Sequence, residues 1–168
     1  MQLTSQGFWA KLKFAVFIVV HLLIALLATG FAEAQIGRFL RPHSLPEVLY
    51  KAWTLSAVCA ATLGFSIHRL WKNGAAKWTW VLPSLWLGLR FVPAFLSAKG
   101  HLFGPGISVW YQFSGLGCEN GTRSLDCRNF FVFTIPFIRG LTYSFGVWLS
   151  ARLDSRHQKS TATASAAT

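Results

Sequence analysis

The chain has 168 residues, a length that suits one compact domain. Hydrophobic side chains make up 53% of it and charged ones only 12%, about half the charged share of a soluble domain. The net charge of +11 raises nucleic-acid binding, but the basic residues flank apolar runs instead of clustering with aromatics, which favours lipid headgroups as their partners.

The first predicted element is a membrane-spanning helix over residues 14–32, 19 residues without a charge. A helix needs about 20 mostly apolar residues to cross the hydrocarbon core. Lys11 and Lys13 precede the run, and it ends in Ala32-Glu33-Ala34. That A-x-A pattern also closes cleavable signal peptides, whose apolar regions are about 7–15 residues long. The longer run here favours a retained span; cleavage would leave three spans and the same sidedness. His21 is the one titratable residue inside it.

The second span covers residues 52–68 and has no Lys, Arg, Asp or Glu. Ala52, Ser56, Ala60 and Gly64 form a stripe of small residues at four-residue spacing. Lipid gives helices no hydrophobic reason to associate, so close backbone approach over small residues is what joins them. Cys59 falls among these residues as a packing side chain. The link from Arg69 to Lys77 contains Asn73-Gly74, a turn signal that makes spans two and three antiparallel neighbours.

The third span covers 78–98, and its one charge is Arg90. Pro83 and Pro93 lie within it and Pro136 within the fourth span; inside a helix each proline frees the carbonyl four residues before it. The loop 99–128 is rich in glycine and long for a connection. It holds Cys118 and Cys127, placed to close a ring by a disulfide worth about 2.5–3 kcal/mol in the loop-entropy model. His43 and His101 face the same side, but their spacing matches no zinc pattern. Asn120-Gly121-Thr122 fits a glycosylation acceptor.

The fourth span covers 129–151, with Arg139 as its one charge and a weaker small-residue stripe at Thr142, Gly146 and Ser150. Residues 160–168, all Ser, Thr or Ala, are expected to form a disordered tail. The expected fold is all-α: an integral membrane four-transmembrane-helix bundle, residues 1–159, with a long disulfide-closed extracytoplasmic loop. Eight basic residues on the side of the termini against six on the loop side place both termini in the cytoplasm, with a bacterial inner membrane as the location.

Arg90 and Arg139 are the residues that most need explaining. From the span ends, their depths are about 12 and 15 Å below the loop-side boundary, nearly one level. An intramembrane charge costs at least about 2.5–3.5 kcal/mol, and no acid falls within the expected spans. They are therefore candidates for holding an anion, a lipid headgroup or an acid of a partner subunit. Thr142 and Tyr143 lie one turn from Arg139 and could share its polar face, with His21 a further member.

No phosphate loop, catalytic triad, carboxylate pair or cofactor motif is present, and no cofactor or metal is expected. The expected role is an accessory or scaffold component of a membrane complex, whose partners are the bilayer and other membrane subunits or an anionic lipid, not nucleic acid. The alternatives are a transport or lipid/anion-binding protein using Arg90 and Arg139, and a membrane thiol-disulfide oxidoreductase using Cys118 and Cys127. In span count alone the chain is similar to the four-span quinone-linked thiol oxidases and vitamin K epoxide reductase-like proteins. Those use a C-x-x-C pair, and this chain has none.

Overall fold

A computed structural model describes residues 3–39, 45–96, 113–116, 118 and 125–166, and all regular structure among them is helical. Helix α1 (Leu3–Leu23) widens into a π turn at Ile24–Ala28 and continues as α2 (Thr29–Phe39). Helix α3 (Leu45–Leu70) follows, then a 3-10 turn at Gly74–Trp78 and helix α4 (Val81–Leu96). A short α5 (Leu125–Asn129) runs through a second π turn, Phe130–Thr134, into α6 (Ile135–Ala166).

Three stretches are long and apolar enough to cross a membrane: Gly7–Phe39, Glu47–Leu70 and Cys127–Arg156. The last is the central helix, because half of its most apolar window is buried, against 17% in each of the other two. Helix α4 has 16 residues, fewer than the roughly 20 that a full crossing takes.

Helix α3 packs on α6 by the absence of side chains. Ser56, Ala60 and Gly64 of α3 and Gly146 and Ser150 of α6 are buried on facing sides. A Cβ on Gly64 would run into the Tyr143 carbonyl, and one on Gly146 into the Ala61 carbonyl. The two backbones therefore touch, which only glycine allows at both positions. At one end of this seam His68 Nδ1 and Ser150 Oγ share a 3.0 Å hydrogen bond. Beyond them Asp154 meets Arg69 at 3.5 Å and Lys72 at 3.3 Å.

The prolines act through their position. Pro136 has no N–H to give and would clash with the carbonyl of Val132 in a regular helix. The π turn just before it absorbs the clash, with the Ile135 N–H donating five residues back to the Phe130 carbonyl. Pro83 is the third residue of α4, inside the first turn, where its missing N–H costs no helical bond. The carbonyl of Thr79 is thus not freed by a kink, as the sequence suggested; it lies ahead of the helix.

The link into α4 turns back into the bundle. Asn73 Oδ1 caps the turn by accepting from the Ala75 N–H at 2.8 Å, and Ala75 and Ala76 are fully buried. Thr79, also fully buried, donates from Oγ1 to the Gly140 carbonyl at 3.1 Å and shares a short hydrogen bond with Ser144. Pro83 sits against Gly140, so α4 starts abreast of that residue, 14 residues of α6 away from Asp154. That is about 20 Å along the axis. The expected helix over 78–98 is α4 from Val81, with Trp78 still in the 3-10 turn.

At the other end Cys118 and Cys127 form the expected disulfide, with their Cα atoms 4.5 Å apart. Gly115 nearby has φ +81°, a left-handed conformation that favours glycine, and its Cα faces Leu49 and Phe130. Phe113 packs edge-on against Trp53 and Phe91. The loop's remaining expected features, including Asn120-Gly121-Thr122, His43 on the preceding link and His101, lie outside the described residues. Helix α6 continues to Ala166 through part of the segment expected to be disordered; once a helix is nucleated each further residue adds one bond, and Ala is the best helix former.

Candidate functional site

Arg139 extends from α6 across the seam to α2. Its Nε donates to Glu33 Oε1 at 3.0 Å and its Nη2 to Glu33 Oε2 at 2.6 Å, a two-point fork. Nη1 points at the Leu26 carbonyl in the π turn at 3.4 Å. The guanidinium lies over Gly30, where a Cβ would come within 3.3 Å of Nη1. Glycine at 30 is what lets the planar group lie flat between the helices. The side chains of Arg139 and Glu33 are 18% and 14% exposed, so the pair is mostly withdrawn from solvent.

This overturns the expectation that no acid meets Arg139. The apolar run was taken to end at Ala32 because Glu33 is charged. The helix instead continues to Phe39 without a break, through the Ala32-Glu33-Ala34 pattern, and carries the carboxylate into the bundle. An acid at the margin of an apolar run, in a chain with an otherwise unmatched intramembrane arginine, is the sequence signal that points to such a pair.

Tyr143 and His21 come together one turn away. Both are fully buried, and His21 Nδ1 shares a 3.1 Å hydrogen bond with the Tyr143 hydroxyl. The ring of Trp71 covers His21 at 5.1 Å. Thr142 does not join them: its hydroxyl donates back to the Ile138 carbonyl of its own helix at 2.7 Å. Four buried polar atoms have no hydrogen-bond partner among the described residues: His21 Nε2, Thr29 Oγ1, Ser56 Oγ and Thr134 Oγ1.

Arg90 is not brought to Arg139. Helix α4 runs antiparallel to α6, with Pro83 beside Gly140 and Trp86 stacked on Phe133 at 5.4 Å. Arg90 lies one turn beyond Trp86 towards the disulfide, and Arg139 lies six residues from Phe133 in the other direction. Their backbones are therefore about 15 Å apart along the axis, not on one level. The sequence counted inward from the ends of spans, and the deep start of α4 shifts that count. Arg90 makes no hydrogen bond or ion pair among the described residues.

A cleft of about 350 Å³ opens beside the pair, between α2 and the first turns of α3. Glu33, Gly30 and Gly37 line one wall and Lys51, Val48 and Leu55 the other. Lys51 is held by Glu47 at 2.7 Å, so the charges here are matched within the chain. No group of three or more metal-ligating side chains is brought together among the described residues. Cys118 and Cys127 are both fully buried, and Cys59 is a free, half-buried thiol. The chain matches no family model, no curated protein and no solved structure.

Proposed function

We propose that the protein is an integral membrane protein with four crossing helices and both termini in the cytoplasm, acting as an accessory or scaffold component of a membrane complex. The observation that carries this reading is the Arg139–Glu33 pair. The charge that would otherwise call for a ligand or a partner's acid is answered inside the chain. What the fold offers outward is apolar surface, with Phe31, Leu89, Phe145 and Trp148 all exposed. Such a body fits a role in contacts with lipid and neighbouring helices better than a role in turnover at an interior site. The test is native mass spectrometry of the full chain after gentle extraction. A stoichiometric partner chain is the expected result; a clean monomer under every mild detergent overturns the scaffold role.

An anion-binding role is the second reading, and Arg90 carries it. It makes no ion pair among the described residues, and α4 is too short to bury it deeply. Arg90→Gln should then abolish anion-dependent activity while leaving extraction and folding unchanged. The thiol-redox reading draws little support from the sulfurs, since exchange needs a thiolate to reach them and both cysteines are fully buried.

A further inference from the structure

The end of the bundle away from the disulfide carries a groove that the reading above does not use. It has a volume of about 450 Å³, within the range of ligand-sized sites. Trp78, Trp80 and Trp148 wall it, with Phe145 behind and Lys77 as its charged member. All three tryptophans stay partly exposed, at 42%, 39% and 46%, so their rings are open to an occupant. Tryptophan prefers the level where headgroups meet acyl chains.

The charges around the groove are unbalanced. Arg69, Lys72, Lys77, Arg152 and Arg156 stand at this end of α3, the link and α6, with Asp154 as the acid among them. Asp154 is already engaged by Arg69 and Lys72. Arg152 lies over the ring of Trp148 at 5.1 Å, which brings a second cation to the groove's rim. Lys77 makes no ion pair among the described residues.

The inward-turning link sets the depth of Lys77. Its neighbour Ala76 accepts from Ser144 Oγ at 3.5 Å, so the lysine backbone lies abreast of Ser144, ten residues of α6 inside Asp154. That is about 15 Å. A lysine held there extends its stem along apolar surface and its ammonium towards the headgroups. The anion that meets it comes from outside the chain.

We propose that this groove binds one acidic phospholipid from the leaflet on the side of the chain ends. The phosphate is held by Lys77 and Arg152, and an acyl chain lies along Trp78, Trp80 and Trp148. The site is separate from the Arg139–Glu33 pair and from Arg90; it rests on the membrane reading above.

The test is a native mass-spectrometry titration of the full chain in detergent, with phosphatidylglycerol and phosphatidylcholine of identical chains. One phosphatidylglycerol should be retained about fivefold better than phosphatidylcholine, the scale expected of one basic residue near a headgroup. Lys77→Gln should remove that preference and Lys77→Arg should keep it. Trp148→Leu should weaken retention of both lipids, and Lys51→Gln, at the other end, should change nothing. Equal retention of the two lipids, an unchanged Lys77→Gln protein, or an equal loss in Lys51→Gln would overturn the proposal, as would a partner helix cross-linked into the groove. Resistance of the wild-type chain to carbonate extraction is measured alongside. A chain that leaves the membrane refutes the membrane reading itself, whereas a membrane-bound chain without the lipid preference refutes only this site.

Discussion

Helix α6 is gripped from two sides by opposite means. On the α3 side the contact is made by missing side chains, with Gly64 and Gly146 letting backbone meet backbone along the seam. On the α2 side it is made by two long charged side chains, Arg139 and Glu33, reaching across the flat top of Gly30. The first kind of contact is spread over many small dispersion terms. The second is concentrated in one pair, whose halves are stable only together. A damaged seam should therefore fail by degrees, and a damaged pair all at once.

The largest effect should follow from splitting the pair. Glu33→Ala should cost about 3–5 kcal/mol by leaving Arg139 buried without its acid. Reversible unfolding in mixed micelles reads this, and the matched Glu33→Leu with Arg139→Leu chain should recover most of the loss. If the double variant is no better than the single one, the concentrated contact is not what holds α2 to α6. The seam comes next. Gly146→Leu should cost about 3 kcal/mol or somewhat less, since the side chain must enter the space of the Ala61 carbonyl. Gly88→Ala is the control in α4: nothing stands within 4 Å of the added atom, so it should be neutral or raise stability by up to about 1 kcal/mol.

Away from both contacts, Cys118→Ser with Cys127→Ser should cost about 2.5 kcal/mol through freed loop entropy, seen as a lower melting temperature under non-reducing conditions. It should leave the Glu33 effect unchanged, because the two sites are independent. The smallest effect belongs to the exposed cluster at the opposite end. The hydrogen bond from Lys72, reinforced by the charges of Lys72, Arg69 and His68, holds the Asp154 carboxyl below its ordinary value. A depressed folded value means that its contribution is complete above about pH 4 and is lost as pH falls through the folded value. Asp154→Asn should flatten the acid limb of the stability curve and leave the neutral-pH value nearly unchanged.

Much of the fold is legible in the sequence because composition and period act locally. The helical class, the apolar runs, the disulfide and the small-residue stripe of α3 all follow from residue type and spacing. What escapes is register, which depends on where two distant segments meet. Glu33 reads as an end because a charge usually ends an apolar run, and only the position of Arg139 on another helix makes it an interior residue. Arg90 and Arg139 read as level because both were counted from run ends. The actual level is set by Thr79 bonding to Gly140, a contact across 61 positions. His21 and Tyr143 are likewise joined over 122 positions, a meeting that no local pattern announces.

The inward turn of Gly74–Trp78 has a consequence for how the chain is made. A 16-residue helix with an arginine in it is a weak candidate for release into lipid on its own, since the insertion machinery scores each segment by its length and apolar content. Helix α3 carries enough apolar length to enter alone, and the capped turn at Asn73 ties α4 closely to it. The two therefore enter as a hairpin, with the second arm waiting at the lateral gate until α6 is synthesised. Only then do Gly140 and Ser144 become available to Thr79, so the last helix to emerge from the ribosome is the one that seats its predecessor.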